Sequence, residues 1–130
     1  MKIWEKIDNF KARRPSVTVG IFDGVHRGHG YLLERLKQDA RINDGASVVV
    51  TLWPHPRIVL NKKPESLRFL STLEEKKILL ARHGIDHLVV IPFTVEFSRL
   101  GSCEFVKKYL VDKLNMHSLL VGFDHKFGKD

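Results

Sequence analysis

A doubly wound α/β fold, with a parallel sheet covered by helices on both faces, is what this chain predicts. Three observations carry the prediction. Four short apolar runs rich in β-branched residues lack polar alternation, the pattern of strands buried on both sides. Segments with helical spacing lie between them, and Gly, Pro, Asn and Asp cluster where one kind of segment gives way to the other. Alternation of this kind produces parallel strands joined by right-handed crossovers.

The first strand is expected over Ser16–Phe22, after Pro15 closes a charged and apolar stretch that has no strong period. The turn Asp23-Gly24 follows, then a helix from about Gly28 to Ala40 with Leu32, Leu33, Leu36 and Ala40 inward and Glu34, Arg35 and Lys37 on the wet side. Asn43-Asp44-Gly45 is a loop. Ala46–Leu52 is the second strand, stopped by Trp53-Pro54-His55-Pro56, whose prolines hold an extended loop. Residues 57–70 show no regular pattern. Ser71-Thr72-Leu73-Glu74 has the form of a capping box and opens a helix reaching Arg82, with Gly84 as its C-cap. His87–Ile91 is the third strand, stopped by Pro92; Phe93–Leu100 is a loop with exposed aromatics. Ser102 caps a helix over Glu104–Leu114 with Phe105, Val106, Tyr109 and Leu110 inward, and Ser118–Gly122 is the fourth strand. No internal repeat or low-complexity linker interrupts the order.

The bulk composition excludes several classes. A chain of 130 residues with 43% hydrophobic and 28% charged residues forms one ordinary globular domain with a real core. No apolar run approaches the ~20 residues that span a bilayer, and the first residues, Met1-Lys2-Ile3-Trp4-Glu5-Lys6, lack a signal-peptide core. Cys103 is the only cysteine, so no internal disulfide forms, which fits a reducing cytoplasm. The net charge of +7 attracts polyanions, nucleic acid or a phosphorylated small molecule alike. Its lysines and arginines are scattered over different elements without interleaved aromatics, which argues against a nucleic-acid surface.

The chemistry concentrates after the first strand. Gly20-Ile21-Phe22-Asp23-Gly24-Val25-His26-Arg27-Gly28-His29 runs from a buried strand through a glycine-rich turn into a helix start. Backbone N–H groups and the helix dipole there hold phosphate oxygens. His26 and His29 lie three apart and share a face of the first turn; they can hydrogen-bond a phosphate, ligate a metal, or cap and pack. Zinc is disfavoured, because Cys103 is distant and without a partner ligand. In a parallel sheet the Pro54-His55-Pro56 loop, Pro92-Phe93-Thr94 and Phe123–Gly128 reach the same carboxyl edge as this turn. Taken alone, His55 is equally a loop histidine held between prolines, Phe123 and Phe127 are equally core anchors, and Asp23 a turn-shaping residue. Cys103 reads as inert, and His83, His87 and His117 as surface or element-edge residues.

These segments resemble the bacterial FAD synthetases, bifunctional riboflavin kinase/FMN adenylyltransferases. Gly20–His29 is similar to the opening signature of their adenylyltransferase module, whose His-x-Gly-His element is shared across nucleotidyltransferases. Thr51-Leu52-Trp53-Pro54-His55-Pro56 resembles the family's Pro-His-Pro loop, Phe93–Leu100 its Phe-Thr segment, and Val121–Gly128 its Val-Gly-x-Asp/Asn-Phe-x-Phe-Gly segment. Leu52 and His125 stand where the family usually has phenylalanine. The resemblance implies a Rossmann-like sheet of the HxGH nucleotidyltransferase type. It implies transfer of the AMP moiety of ATP to FMN, giving FAD and pyrophosphate. His26 and His29 would then contact the ATP phosphates, with Gly20, Phe22, Asp23, Gly24 and Gly28 lining the nucleotide through their backbone. Pro54, His55, Pro56, Asp124 and Phe127 would meet the flavin. Mg²⁺ is expected to arrive with ATP, with no dedicated protein metal site.

The resemblance further implies a Ser-Ser-Thr-x-Ile/Val-Arg segment and a riboflavin kinase barrel, neither of which these residues contain. Residues 1–130 are therefore expected to be a nucleotidyltransferase domain incomplete at its C-terminus, with the kinase domain in cis in the full-length protein. Two alternatives stand beside this reading: a nucleotidyltransferase with another phosphorylated acceptor, and a non-catalytic basic RNA-binding module.

Overall fold

The computed structural model describes residues 1–22, 27–54 and 72–121, with 27–29 as backbone only. Its strands are β1 (Lys2–Trp4), β2 (Ser16–Val19), β3 (Ser47–Trp53), β4 (His87–Pro92) and β5 (Ser118–Leu120). They form one five-stranded sheet in the order β1-β4-β3-β2-β5, and every neighbouring pair is parallel. Among the described residues three longer helices accompany them, besides short 3-10 turns at Ile7–Asn9 and Phe97–Arg99: α1 (Arg27–Ile42), α2 (Leu73–Arg82), and α3, which begins as Ser102–Phe105 and continues as a π-helix over Val106–Lys113.

Both faces of the sheet are dry, as the unalternating apolar runs require. Val49, Leu88 and Val90 face Leu33 and Leu36 of α1 and Leu80 of α2. Val17, Val19, Val48, Val50, Val89 and Ile91 face the other way, against Phe105 and Leu110 of α3, together with Ile7 and Phe10. The placement follows from handedness. Right-handed crossovers that step one way across the sheet, β2 to β3 to β4, keep their helices on one face; the step back from β4 to β5 must use the opposite face.

The boundaries differ from the sequence expectations at definable points. Lys2–Trp4 forms a fifth, edge strand where no period is visible; three residues against β4 are too few to show one. The capping box belongs to Thr72 and Glu75, one residue later than predicted: Thr72 Oγ1 accepts from Glu75 N–H and the Glu75 carboxylate accepts from Thr72 N–H, each at 3.1 Å. Both registers satisfy the same pattern, and the later one lets Leu73 pack on the α1/α2 core. The helix ends at His83, with Gly84 beyond it at φ +76°. Gly101, not Ser102, caps α3. Phe93 and Phe97 are buried rather than exposed; Phe97 packs edge-on against Phe93, Phe105 and Tyr109, with ring centroids 5.4–5.7 Å apart.

His87 stands at an element edge, one of the two places expected of it, as the first residue of β4, but not on the surface. It is half-buried at the start of β4, where its Nδ1 accepts from Trp4 Nε1–H at 3.1 Å and its ring stands edge-on to Phe10. Burial lowers its pKa below the ordinary 6.5, the Asp86 carboxylate pulling the other way and Lys2 and the N-terminal amine adding to the depression. The unfolded chain thus takes up a proton near 6.5 while the folded one resists it to lower pH. Stability contributed by neutral His87 is present above that value and lost as pH falls through the folded pKa. Urea unfolding between pH 7.5 and 5 is expected to show the protein weakening on acidification. His87→Asn, which keeps an acceptor and does not titrate, should flatten that slope; an unchanged slope would assign it to other groups.

Candidate active site

The strand order reverses direction twice among the described elements: β1 to β2 crosses the sheet one way, β2 to β4 runs back, and β4 to β5 crosses again. From β2 the chain moves through α1 to β3 and then β4; β5 returns to the opposite side of β2. Ligands of open parallel sheets bind outside the carboxyl ends of the strands at such a switch point. Here the carboxyl end of β2 leads into Gly20–His29 and that of β5 into Val121 and Gly122. A partly buried hydrogen bond, Thr18 Oγ1–H to the Leu120 carbonyl at 2.8 Å, fixes the two strand ends to each other.

The turn after β2 is tightly built where it is described. Gly20 N–H donates to the Val50 carbonyl at 2.9 Å, extending the ladder one residue past the strand. A Cβ on Gly20 would lie 2.5 Å from Phe22 Cε2, because the Phe22 ring folds back across it. Phe22 itself is buried in the α1/α2 core with φ +55°, a left-handed backbone that a bulky residue adopts only when its surroundings impose it. The Phe22 ring is thus committed to the core. Gly28 and His29 are the second and third residues of α1. The first four N–H groups of a helix have no partner within it and carry its positive dipole end, so this terminus faces the switch point with donors for an anion. Asp23, Gly24 and His26 lie outside the described residues, as does the side chain of His29.

On the neighbouring strand, Pro54 is exposed just past β3, joined to Trp53 by a cis peptide bond. His55 and Pro56 lie outside the described residues, as do Asp124 and Phe127; Val121, half-exposed, is the last one before them. The structure thus brings Gly20, the start of α1, Pro54 and Val121 to one sheet edge, and of the residues expected to meet the flavin only Pro54 lies among the described ones. Two residues at this edge escaped the sequence reading. Lys76 on α2 is fully buried with its ammonium 5.4 Å from the centre of the Trp53 ring. Its position one turn into a charged helix resembles a solvent face, and only its i+4 relation to Leu80 hints otherwise. Thr51 is buried without any exposed surface, inside a run that reads as uniformly apolar.

Relatives bear on what this edge does. The family model described as FAD synthetase matches residues 9–130. The chain belongs to the FAD synthetase family. The bifunctional riboflavin kinase/FMN adenylyltransferase of Listeria monocytogenes is 37% identical over 113 residues, covering 87% of this chain and 36% of that protein. Its namesake from Buchnera aphidicola is 35% identical over 130 residues, 98% of this chain and 41% of the relative. The chain thus spans about two-fifths or less of the curated relatives it matches. A Streptococcus pneumoniae crystal structure described as a macrolide-efflux protein superposes with a TM-score of 0.80 at 30% identity, over 98% of this chain and 50% of that one. Among the described residues no helix is long and apolar enough to cross a membrane.

Proposed function

We propose that this domain binds ATP–Mg²⁺ at the carboxyl edge between β2 and β5 and transfers AMP to FMN. An oxygen of the FMN phosphate attacks the α-phosphorus of ATP; the bond from that phosphorus to the β-bridging oxygen breaks, and pyrophosphate leaves. No side-chain nucleophile is needed, so catalysis is positioning and charge stabilisation. His26 and His29 hydrogen-bond the ATP phosphates beside the N-terminus of α1. The backbone of Gly20, Phe22, Asp23, Gly24 and Gly28 lines the nucleotide. Pro54, His55, Pro56, Asp124 and Phe127 meet the flavin. No group of three or more His, Cys, Asp or Glu gathers among the described residues; phosphate oxygens and water are the hard oxygen donors that Mg²⁺ prefers.

One observation carries this reading: β2 and β5, the strands that lead into the family's phosphate and Val-Gly-Phe-Asp segments, are sheet neighbours although the chain runs from β2 out through β3 and β4 before it returns to β5. In the whole protein a riboflavin kinase domain would follow in cis, in the cytoplasm, with small-molecule substrates and neither membrane nor nucleic acid as partner. The test is conversion of FMN to FAD with equimolar pyrophosphate release, by the protein at the length of its relatives, with ATP–Mg²⁺ present. Adenylation of a different phosphorylated acceptor with FMN untouched would contradict the acceptor assignment. Tight, salt-sensitive RNA binding without ATP binding would contradict the enzyme reading altogether.

A further inference from the structure

Thr51 carries a hydroxyl that is fully buried and has no hydrogen-bond partner among the described residues. A buried polar group left unmade is a cost the fold bears for a reason outside its own packing. Its position narrows the reason. Val49 and Trp53 face α1 and α2, so Thr51, between them in the strand's alternation, faces that side as well. Register places Val19 opposite Val50, and the Gly20 N–H to Val50 bond carries the pairing one step on, so Gly20 stands opposite Thr51. On the other side Thr51 pairs with Val90, which is apolar. Thr51 therefore stands in the sheet beside Gly20, over whose bare α-carbon the Phe22 ring folds.

Two costs thus lie side by side at the root of the phosphate turn: an unmade hydrogen bond at Thr51 and the left-handed backbone of Phe22, φ +55°. We propose that Thr51 is a positioning residue for the nucleotide: when phosphate occupies the turn, a peptide group of Gly20–Phe22 becomes the partner of its hydroxyl, and the turn is held in the bound geometry. Glycine at 20 gives the peptide the freedom to turn. The inference rests on the nucleotide reading of this site.

Calorimetric titration with ATP–Mg²⁺ and thermal melts of wild type, Thr51→Val and Thr51→Ser test it. Valine is isosteric and removes only the hydroxyl. The expected result is a nucleotide-free Tm unchanged or raised by up to ~5 °C, with ATP–Mg²⁺ affinity weakened about tenfold. Serine should restore affinity to within about twofold. A valine variant that binds ATP–Mg²⁺ like wild type overturns the inference while leaving the site assignment intact. So does a valine variant with a lowered nucleotide-free Tm, since the hydroxyl would then have a partner in the empty protein. Wild type that fails to bind ATP–Mg²⁺ overturns the nucleotide reading and this inference together.

Discussion

Replacing His29 with alanine is expected to slow FAD formation about 10²–10³-fold while leaving the unfolding free energy within ~0.5 kcal/mol of wild type. His29 is the third residue of α1, within the turn whose N–H groups have no helical partner. In the proposed reaction negative charge gathers on the departing pyrophosphate, and an imidazole donor in the proposed role acts most strongly on that charge. Its loss should therefore appear chiefly in kcat, with a smaller change in KM for ATP. The same direction is expected for His26→Ala. Steady-state kinetics beside a urea titration separates the two effects. Unchanged turnover in both variants would remove the histidines from the site.

The second large effect is at the opposite end of the sheet. Gly45→Ala should destabilise the protein by about 2–3 kcal/mol. A Cβ there would lie 2.1 Å from the Arg14 carbonyl oxygen and 3.0 Å from that of Arg13. The obstacle is backbone, so no rotamer change relieves it. Nor is the surrounding chain free to move: Gly45 N–H donates to Ala40, Ala46 N–H to Arg13 and Ser16 N–H to Ala46, at 2.8–3.0 Å. These bonds start the central β2–β3 pair in register. Denaturant melts should show the loss in midpoint, and the folded fraction should bind ATP–Mg²⁺ normally, because the clash is at the amino edge. Wild-type stability in this variant would mean that the 13–16 segment yields more easily than its hydrogen bonds imply.

How much of this was legible beforehand depended on how each element announces itself. β3 and β4 read clearly, since long β-branched runs buried on both faces have few other uses. β1 did not, because a three-residue edge strand takes its identity from pairing with β4 rather than from its own pattern. Phe93 and Phe97 were misread because a segment between Pro92 and Leu100 resembles a surface loop. The Thr94 hydroxyl accepting from Phe97 N–H at 2.9 Å closes a turn that drives both rings inward. The π-helical winding of α3 leaves no trace in the spacing of Phe105, Tyr109 and Leu110, which suits an α-helix equally. At the site, the order of the motifs told which strands carry them. That Phe22 is core and strained, and that Thr51 lacks a partner among the described residues, depends on the register between β2 and β3, and register is a tertiary property.

The most direct test of the account is where ATP–Mg²⁺ touches the protein. Backbone amide shifts followed by NMR during titration should move most at Gly20 and Ile21, at Arg27–Gly30, and at Val121. Residues of the amino edge, Ser16, Ser47 and Asp86, should stay still. Saturable shifts confined to that amino edge, or none at the start of α1, would contradict a nucleotide site at the β2–β5 switch point.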